Sequence, residues 1–263
     1  MDLPFAQIDA FADRPFTGNQ AAVIPLDAWL DDAVLQAIAE ENNVAETAFI
    51  VPDAGGEADY ELRWFTPAVE VALCGHATLA SGHFVLGRDS SLERVRFRTR
   101  KAGVLEVARE GDGYAMALPA YPPSPADVPG LLAALGVARG EVLRHANGYD
   151  LVVLDTAADV LALKPDFRAL AALGDTLNIV SAPGQDTDVV SRVFAPAAGI
   201  DEDPVTGSAH SVLTPYWAAR LGRDRFSAFQ ASKRGGHVDC QAAGDRVILR
   251  GQCVTVIEGV FTL

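Results

Sequence analysis

Short apolar runs bounded by turn residues predict strands in both halves of the chain, and each half also contains a more continuously apolar segment that predicts a helix. The predicted strands are 5–11, 20–25, 44–51, 58–65, 147–154, 178–181 and 187–194. Amphipathic helices are predicted at 28–41 and 164–173, the first with Leu30, Val34, Leu35 and Ile38 on one face. Each half therefore reads as strand, helix, several strands, a buried helix and a hairpin.

The two halves repeat one another. Residues 63–68 read RWFTPA and residues 192–197 read RVFAPA. A turn of small residues that opens an apolar helix follows each motif: Cys74-Gly75-His76-Ala77 in the first half and Thr206-Gly207-Ser208-Ala209 in the second. Further matches keep the same order at offsets between 129 and 135 residues, which favours an internal duplication over a chance likeness of strand–turn–helix units.

This repeat sets the predicted domain organisation. Residues 1–118 form the N-terminal lobe and residues 131–252 the C-terminal lobe. The stretch 119–130, PAYPPSPADVPG, has five prolines and is predicted to be a linker. The last strand, within 253–263, is expected to cross back to the first lobe.

Composition and charge exclude several classes of function. The net charge of −14 argues against nucleic acid and anionic membrane surfaces as partners, although it leaves a small anionic substrate possible. No apolar run reaches the roughly 18 residues that span a membrane, and the N-terminus does not resemble a secretory signal. Three cysteines without a CxxC pair fit a reduced compartment, so a cytoplasmic protein is expected. No cluster has zinc-site spacing, and no nucleotide-binding loop is present.

The two matched turns are the strongest functional signal. Exposed N–H groups at a helix N-terminus bind anions, and the helix dipole adds to this attraction. If pseudo-symmetry places the turns opposite one another across the lobe interface, Gly75-His76 and Gly207-Ser208 would cradle a carboxylate. The alternative is that both are ordinary helix starts with small residues for close packing.

Four side chains near these turns could carry acid/base chemistry. Glu46 opens the strand ETAFIV on a largely apolar face, where desolvation favours the protonated form that a neutral-pH acid/base needs; the alternative is a strand-end glutamate in solvent. His76, at a helix start, is expected to be neutral and is either a substrate-contacting residue or a capping or core histidine. Cys74 is either a reactive thiol or a small buried residue. Asp203 precedes the second turn within an acidic stretch that could equally be a solvated loop.

At these residues the sequence resembles the phenazine-biosynthesis PhzF-like family, within the diaminopimelate-epimerase fold. The matching stretches are FTGNQAAVI (16–24), NNVAETAFI (42–50), RWFTPAVEVALCGHATLAS (63–81) and DEDPVTGSAH (201–210). They occur in the family's order and cover essentially the whole chain. The combination of LCGHAT with EDPVTGSAH is highly specific.

The resemblance implies an α+β fold of two pseudo-symmetric lobes, each a curved mixed sheet around a central helix, and usually a homodimer. It implies a biosynthetic isomerase that needs no cofactor and no metal and acts on a small carboxylate. Glu46 takes the position of the general acid/base. The residues that correspond to substrate-binding positions are Asn19, Gly75, His76, Asp203, Gly207 and Ser208. No feature ties the chain to a phenazine pathway.

Two other functions remain open. Epimerases of the wider fold use two thiols, but only Cys74 occupies a thiol position here, because the second holds Thr206. An epimerase would therefore have to use Glu46 with Cys74. The chain could also be a non-catalytic protein that retains the carboxylate cradle. Solvent deuterium exchange into the substrate distinguishes these functions from a double-bond isomerase.

Overall fold

The computed structural model describes residues 1–263 and divides them into two compact units. One unit comprises Met1–Ala117 with Arg250–Leu263, and the other comprises Leu118–Leu249. No helix combines the length and apolar character that a membrane span requires.

The elements up to the end of the first repeat are β1 (Asp2–Ala10), β2 (Asn19–Pro25), α1 (Asp32–Asn42), β3 (Glu46–Pro52), β4 (Tyr60–Phe65), β5 (Glu70–Val71), α2 (Gly75–Arg88), β6 (Arg94–Thr99), β7 (Val104–Glu110) and β8 (Gly113–Pro119). The elements that follow are β9 (Ser124–Pro125), α3 (Leu131–Leu135), β10 (Glu141–His145), β11 (Tyr149–Val153), α4 (Ala157–Leu161), α5 (Phe167–Ala171), β12 (Leu177–Pro183), β13 (Val189–Phe194), a 3₁₀ turn (Pro196–Ala198), α6 (Gly207–Leu221), β14 (Arg225–Gln230), β15 (Gly236–Ala243), β16 (Arg246–Gly251) and β17 (Cys253–Thr262).

Strand pairing follows the same order in both units. In the first unit β1–β2 is antiparallel, β2–β3 parallel, β3–β4 antiparallel, β4–β6 parallel and β6–β7 antiparallel. In the second unit β10–β11, β11–β12, β12–β13, β13–β14 and β14–β15 repeat this alternation. A shared mixed-sheet topology of this length is the structural counterpart of the sequence repeat and confirms the predicted α+β fold class.

An ion pair is also duplicated. The guanidinium of Arg63 donates two hydrogen bonds to Glu70, at 2.8 and 2.9 Å. In the second unit Arg192 donates to Glu202 in the same two-pronged way, at 2.7 and 3.0 Å. Each pair joins the strand of the repeated motif to the segment that leads into the following helix, and such bidentate geometry holds the segment in one orientation.

Each unit is built around one buried helix. All of Gly75–Gly82 in α2 is buried, and the helix packs against β1, β2, β3, β6 and β7. In α6 the stretch Ala209–Thr214 is buried as well. The residues of these two helices are apolar or small on every side, so neither helix has a polar face to turn toward solvent. Each is therefore buried inside the sheet of its unit.

Two predicted helices begin later than expected, for local reasons. The first starts at Asp32, because the chain at Asp31 is still extended, and its buried face carries Leu35, Ile38 and Ala39 while Val34 is exposed. The second starts at Phe167, after Pro165 and with the Asp166 carboxylate accepting a hydrogen bond from Ala169 N–H. A proline interrupts a helix, and an aspartate whose side chain caps the first turn marks the start of one. The helix therefore begins only after these two residues.

The proline-rich stretch 119–130 is not a free linker. It lies within the second unit, where β9 pairs with β10 and the Ala126 N–H donates to the Val142 carbonyl. Prolines are tolerated here because β9 is only two residues long and its ladder needs few donors. The last strand, β17, belongs to the first unit and pairs antiparallel with β1 along Asp2–Ala10.

Candidate active site

The first unit gathers three predicted site residues around the N-terminus of α2. Glu46 is the first residue of β3, opposite Ala21 of the parallel strand β2, and its side chain is 11% exposed. His76 is the second residue of α2 and is 4% exposed. The Glu46 Oε2 and His76 Nε2 atoms are 2.8 Å apart, so the two side chains form a buried pair.

The other nitrogen of the imidazole also has a partner. Asn19 begins β2, and its side-chain amide lies 3.2 Å from His76 Nδ1. Since an amide can present either its N–H₂ or its oxygen, Asn19 can accompany a neutral or a protonated ring. With both ring nitrogens engaged, the imidazole is held in one plane and directs Nε2 at the glutamate.

The ion pair makes His76 basic. Burial of the ring by itself opposes protonation, but the Glu46 carboxylate outweighs that effect and raises the pKa of His76 well above its usual value. Because the Cys74 thiol is itself protonated at neutral pH, Glu46 is the partner that holds the imidazolium. The helix N-terminus alone predicted a neutral ring for His76. That prediction is wrong, because the Glu46 carboxylate favours the protonated ring.

Cys74 is the third member of this group, next to His76 but not reactive on its own. It precedes α2, and its sulfur lies 3.5 Å from Nδ1 and 4.0 Å from Nε2 of His76. Burial raises the pKa of the Cys74 thiol to about 11. The cysteine is therefore a neutral thiol near pH 7, closer to a small buried side chain than to a nucleophile.

The N-terminus of α2 leaves its backbone donors without a capping side chain. Cys74 supplies no side-chain hydrogen bond to the first turn, which contains Gly75 and His76. In the second unit Thr206 likewise supplies none to the first turn of α6, where Gly207 and Ser208 stand. The first N–H groups of a helix have no partner within the helix, so both turns present donors suited to an anion.

In the second unit Asp203 is fixed beside its turn. Its carboxylate accepts a hydrogen bond from the Thr206 hydroxyl at 2.5 Å, and its backbone N–H donates to the Val193 carbonyl at 3.0 Å. The fully buried Gln230 accepts from Thr206 N–H at 2.8 Å and donates to the Asp203 carbonyl at 2.7 Å. Asp203 is thus part of an ordered turn rather than a solvated acidic loop.

Gln230 is a site-supporting residue that sequence reasoning missed. It lies on β14, 24 residues beyond Thr206, and nothing in its local pattern distinguishes it from other strand residues. Tyr149 was missed for the same reason: it begins β11, and its pKa is raised by burial and lowered in part by a hydrogen bond with Ser208.

His210 repeats a structural bond from the first unit. The Thr78 hydroxyl donates to the Cys74 carbonyl at 2.6 Å, and His210 Nδ1 donates to the Thr206 carbonyl at 2.8 Å. Burial lowers the pKa of His210 to about 4, so this ring is neutral near pH 7. Its role is to close the first turn of α6.

Each unit has a buried helix inside a mixed sheet, and the first unit carries a glutamate–histidine pair at the N-terminus of its helix. This duplicated arrangement is that of an α+β protein with the epimerase-like fold. The family model for phenazine biosynthesis-like proteins matches residues 8–259, and the chain belongs to this family.

Individual relatives agree with that assignment. A protein named as an uncharacterized isomerase from Pseudomonas aeruginosa is 52% identical over 265 residues and covers 100% of both chains. The crystal structure of a PhzF-family protein from Enterococcus faecalis matches with a TM-score of 0.90 at 41% identity, again over 100% of both chains. A hydroxyproline epimerase from Agrobacterium vitis with bound trans-4-hydroxy-L-proline shares the fold, with a TM-score of 0.62 at 12% identity over 98% of this chain and 92% of that one.

Proposed function

We propose that this protein is an isomerase that moves a proton and a double bond on a small carboxylate substrate, without a cofactor. The observation that carries the proposal is the buried Glu46–His76 pair, 2.8 Å apart and braced by Asn19. A carboxylate that is positioned, largely desolvated and paired with a second titratable group is the arrangement that general acid/base catalysis uses.

Glu46 is the proton carrier in this mechanism. Its carboxylate removes a proton from one substrate carbon, the electron pair of that bond shifts the double bond, and the resulting acid returns the proton to a different carbon. His76 remains beside it as the charge that holds the carboxylate in place, and Asn19 keeps the ring oriented. Positioned proton transfer of this kind accelerates a reaction by typically about 10²–10⁴-fold.

Substrate binding is assigned to the uncapped helix starts. The backbone N–H groups of Gly75-His76 are proposed to bind the substrate carboxylate, and those of Gly207-Ser208 are proposed as a second anion-binding turn. Within the second unit, Asp203 and the Ser208 hydroxyl are proposed to bind polar substituents of a ligand. A small carboxylate ligand also agrees with the hydroxyproline bound by the structurally similar epimerase.

The alternative of an epimerase that uses Glu46 with Cys74 is less well supported. A two-base epimerase needs a second group that accepts a proton near neutral pH, and burial raises the pKa of the Cys74 thiol to about 11. The position equivalent to Cys74 in the second unit is Thr206, whose hydroxyl already donates to Asp203.

The test is proton exchange with solvent. The protein is incubated in D₂O with a panel of small carboxylic acids that carry a C–H bond next to a carbon–carbon double bond, and ¹H NMR follows each substrate carbon. The proposal predicts a relocated double bond for at least one acid. Deuterium appears at the new position to the extent that the proton on Glu46 exchanges with D₂O before it is returned. Exchange with inversion of a stereocentre and no bond movement would instead establish an epimerase, and binding without exchange, inversion or bond movement would establish a binding protein.

A further inference from the structure

The side chains of Glu46, Cys74 and His76 offer one carboxylate oxygen, one sulfur and one ring nitrogen that all lie within 4.8 Å of one another. All three side chains are buried. The catalytic mechanism proposed above uses the glutamate and the histidine, but it gives the sulfur no task. A sulfur, an imidazole nitrogen and a carboxylate oxygen together are a donor set that Zn²⁺ favours.

We propose that Glu46, Cys74 and His76 also form a binding site for a thiolate-accepting divalent cation such as Zn²⁺, and that the bound ion inhibits the enzyme. The inhibition rests on the proposed function, because the ion would occupy the carboxylate that carries the proton. The binding itself does not depend on that function.

The three ligand atoms can surround a tetrahedral ion once the Glu46 and Cys74 side chains move. Zn²⁺ binds sulfur at about 2.3 Å and nitrogen or oxygen at about 2.0–2.2 Å, which separates neighbouring ligand atoms by about 3.2–3.8 Å. Here the Glu46 oxygen is 2.8 Å and the Cys74 sulfur 4.0 Å from His76 Nε2. The glutamate oxygen has to move away from Nε2 by about 0.4 Å to reach that range. The sulfur now lies nearer to Nδ1, at 3.5 Å, so the Cys74 side chain also has to rotate about its Cα–Cβ bond toward the Nε2 side of the ring.

Asn19 can hold the metal-binding ring of His76 in one orientation. A metal-binding histidine usually donates its other ring N–H to an oxygen acceptor, which fixes the ring's orientation. The Asn19 amide nitrogen lies 3.2 Å from His76 Nδ1. With Nε2 on the ion and the amide turned over, His76 Nδ1–H can donate to the Asn19 side-chain oxygen.

Proton balance follows from the ligand chemistry. The ion displaces the thiol proton of Cys74 and one imidazole proton of His76 to solvent, and no electron transfer is involved. Three protein ligands leave a fourth coordination position for water or for a substrate carboxylate oxygen, as in open zinc sites.

The experiment uses Co²⁺ as a spectroscopic substitute and Zn²⁺ as the ligand. EDTA-treated, dialysed protein is titrated with Co²⁺, and the thiolate-to-cobalt charge-transfer absorption and the visible bands of tetrahedral cobalt are recorded. Zn²⁺ is then added as a competitor. One equivalent of Co²⁺ is expected to produce both sets of bands, and one equivalent of Zn²⁺ to remove them.

Variants identify the ligands. Cys74→Ser should abolish the charge-transfer band and weaken Zn²⁺ binding at least about tenfold, and Glu46→Gln should weaken binding while keeping the charge-transfer band. Cys253→Ser is the matched control, because this thiol belongs to the same unit but not to the three-residue cluster, and it should leave the titration unchanged. Loss of the band in Cys253→Ser, or wild-type titrations that match those of Cys74→Ser, would overturn the proposed site.

The two proposals fail separately. If the metal-free protein isomerises a substrate but shows no cobalt bands, the metal site is wrong and the function stands. If Zn²⁺ binds through Cys74 but Glu46→Gln turns over normally, the site is right and the role of Glu46 is wrong. If Zn²⁺ binds at one equivalent without lowering turnover, the inhibition is wrong.

Discussion

At the scale of single residues, the same position in the two repeats carries different chemistry. His76 and Ser208 are each the second residue of a buried helix, and Cys74 and Thr206 each precede that helix. Only the first unit has a carboxylate within hydrogen-bonding distance of the helix residue, at 2.8 Å. The duplication therefore provides two helix starts without a capping side chain, but only one of them has a carboxylate paired with an imidazole.

Cys74→Ser tests whether the thiol takes part in proton transfer. The hydroxyl is slightly smaller than the thiol and keeps a polar hydrogen beside His76. Turnover is expected to remain within about threefold of wild type, since a thiol with a pKa of about 11 contributes little thiolate at pH 7. Steady-state kinetics on the folded variant, checked by circular dichroism, measure this. Complete inactivation would favour the Glu46–Cys74 epimerase.

His210→Thr tests the cost of burying a neutral histidine. The unfolded chain takes up this proton near pH 6.5 and the folded protein only near pH 4, so the folded state loses stability as the pH falls through that window. Between pH 7 and pH 5 this difference in His210 protonation lowers the free energy of unfolding by about 2 kcal/mol.

Threonine is the residue at the equivalent position of the first unit, Thr78, whose hydroxyl makes the same bond to the preceding turn. Between pH 7 and pH 5 the free energy of unfolding of His210→Thr should therefore fall by about 2 kcal/mol less than that of wild type. This difference holds even if the smaller side chain lowers the stability at both pH values. Urea unfolding at the two pH values gives the comparison. Equal losses in the two proteins would show that His210 is not the group that titrates.

At the scale of elements, α2 lies so close to β7 that its middle residue has to be small. A Cβ atom built on Gly82 would come within 2.6 Å of Val107 Cβ, whereas one on Gly87 would meet no atom within 4 Å. Close packing therefore requires a glycine at position 82, but not at position 87, which is exposed.

Gly82→Ala and Gly87→Ala form a matched pair on the same helix. Alanine favours the helix by up to about 1 kcal/mol at either position. At position 82 the overpacking against Val107 costs about 1–3 kcal/mol, so we expect net destabilisation there and slight stabilisation at position 87. Denaturant unfolding midpoints measure both. A stabilised Gly82→Ala variant would mean that β7 moves away from α2 at little cost.

Local signals explain which elements could be predicted. The strands, the repeated helices and the turns at Gly75 and Gly207 follow from patterns within about ten residues. The start of α1 was missed because the apolar pair Trp29-Leu30 continues the helical pattern although the chain is not helical there: Trp29 instead donates a hydrogen bond to Glu61. Gln230 could not be predicted, since its partners Thr206 and Asp203 are distant in sequence.

At the scale of the whole molecule, the first unit is closed by strands from both ends of the chain. Strand β17 pairs with β1 from Asp2 to Ala10, whereas β2 pairs only with Ala6–Ala10. The first half of β1 therefore depends on β17 for its ladder, and Phe261 packs against the same core cluster as Leu3.

Deletion of residues 253–263 tests this closure. The backbone N–H groups of Asp2–Phe5 should lose protection from hydrogen exchange, and the thermal stability of the first unit should fall. The strand pair β11–β12 in the second unit serves as the internal control and should stay protected. Unchanged protection of β1 in the shortened chain would contradict the dependence.

Glu46 is proposed to carry the substrate proton, and every other step of the proposed reaction depends on it. The most direct measurement compares wild type, Glu46→Gln and the control Glu57→Gln, an exposed glutamate of the same unit, for deuterium incorporation from D₂O into the carboxylic acid that the panel identifies as substrate. Glutamine keeps the size of the side chain and its hydrogen bond to His76 but cannot carry the proton.

Glu46→Gln should bind the substrate with nearly unchanged affinity while exchange and turnover fall by at least about 10²-fold, and Glu57→Gln should match wild type. Exchange at the wild-type rate in a folded Glu46→Gln variant would contradict the claim and remove Glu46 from the reaction.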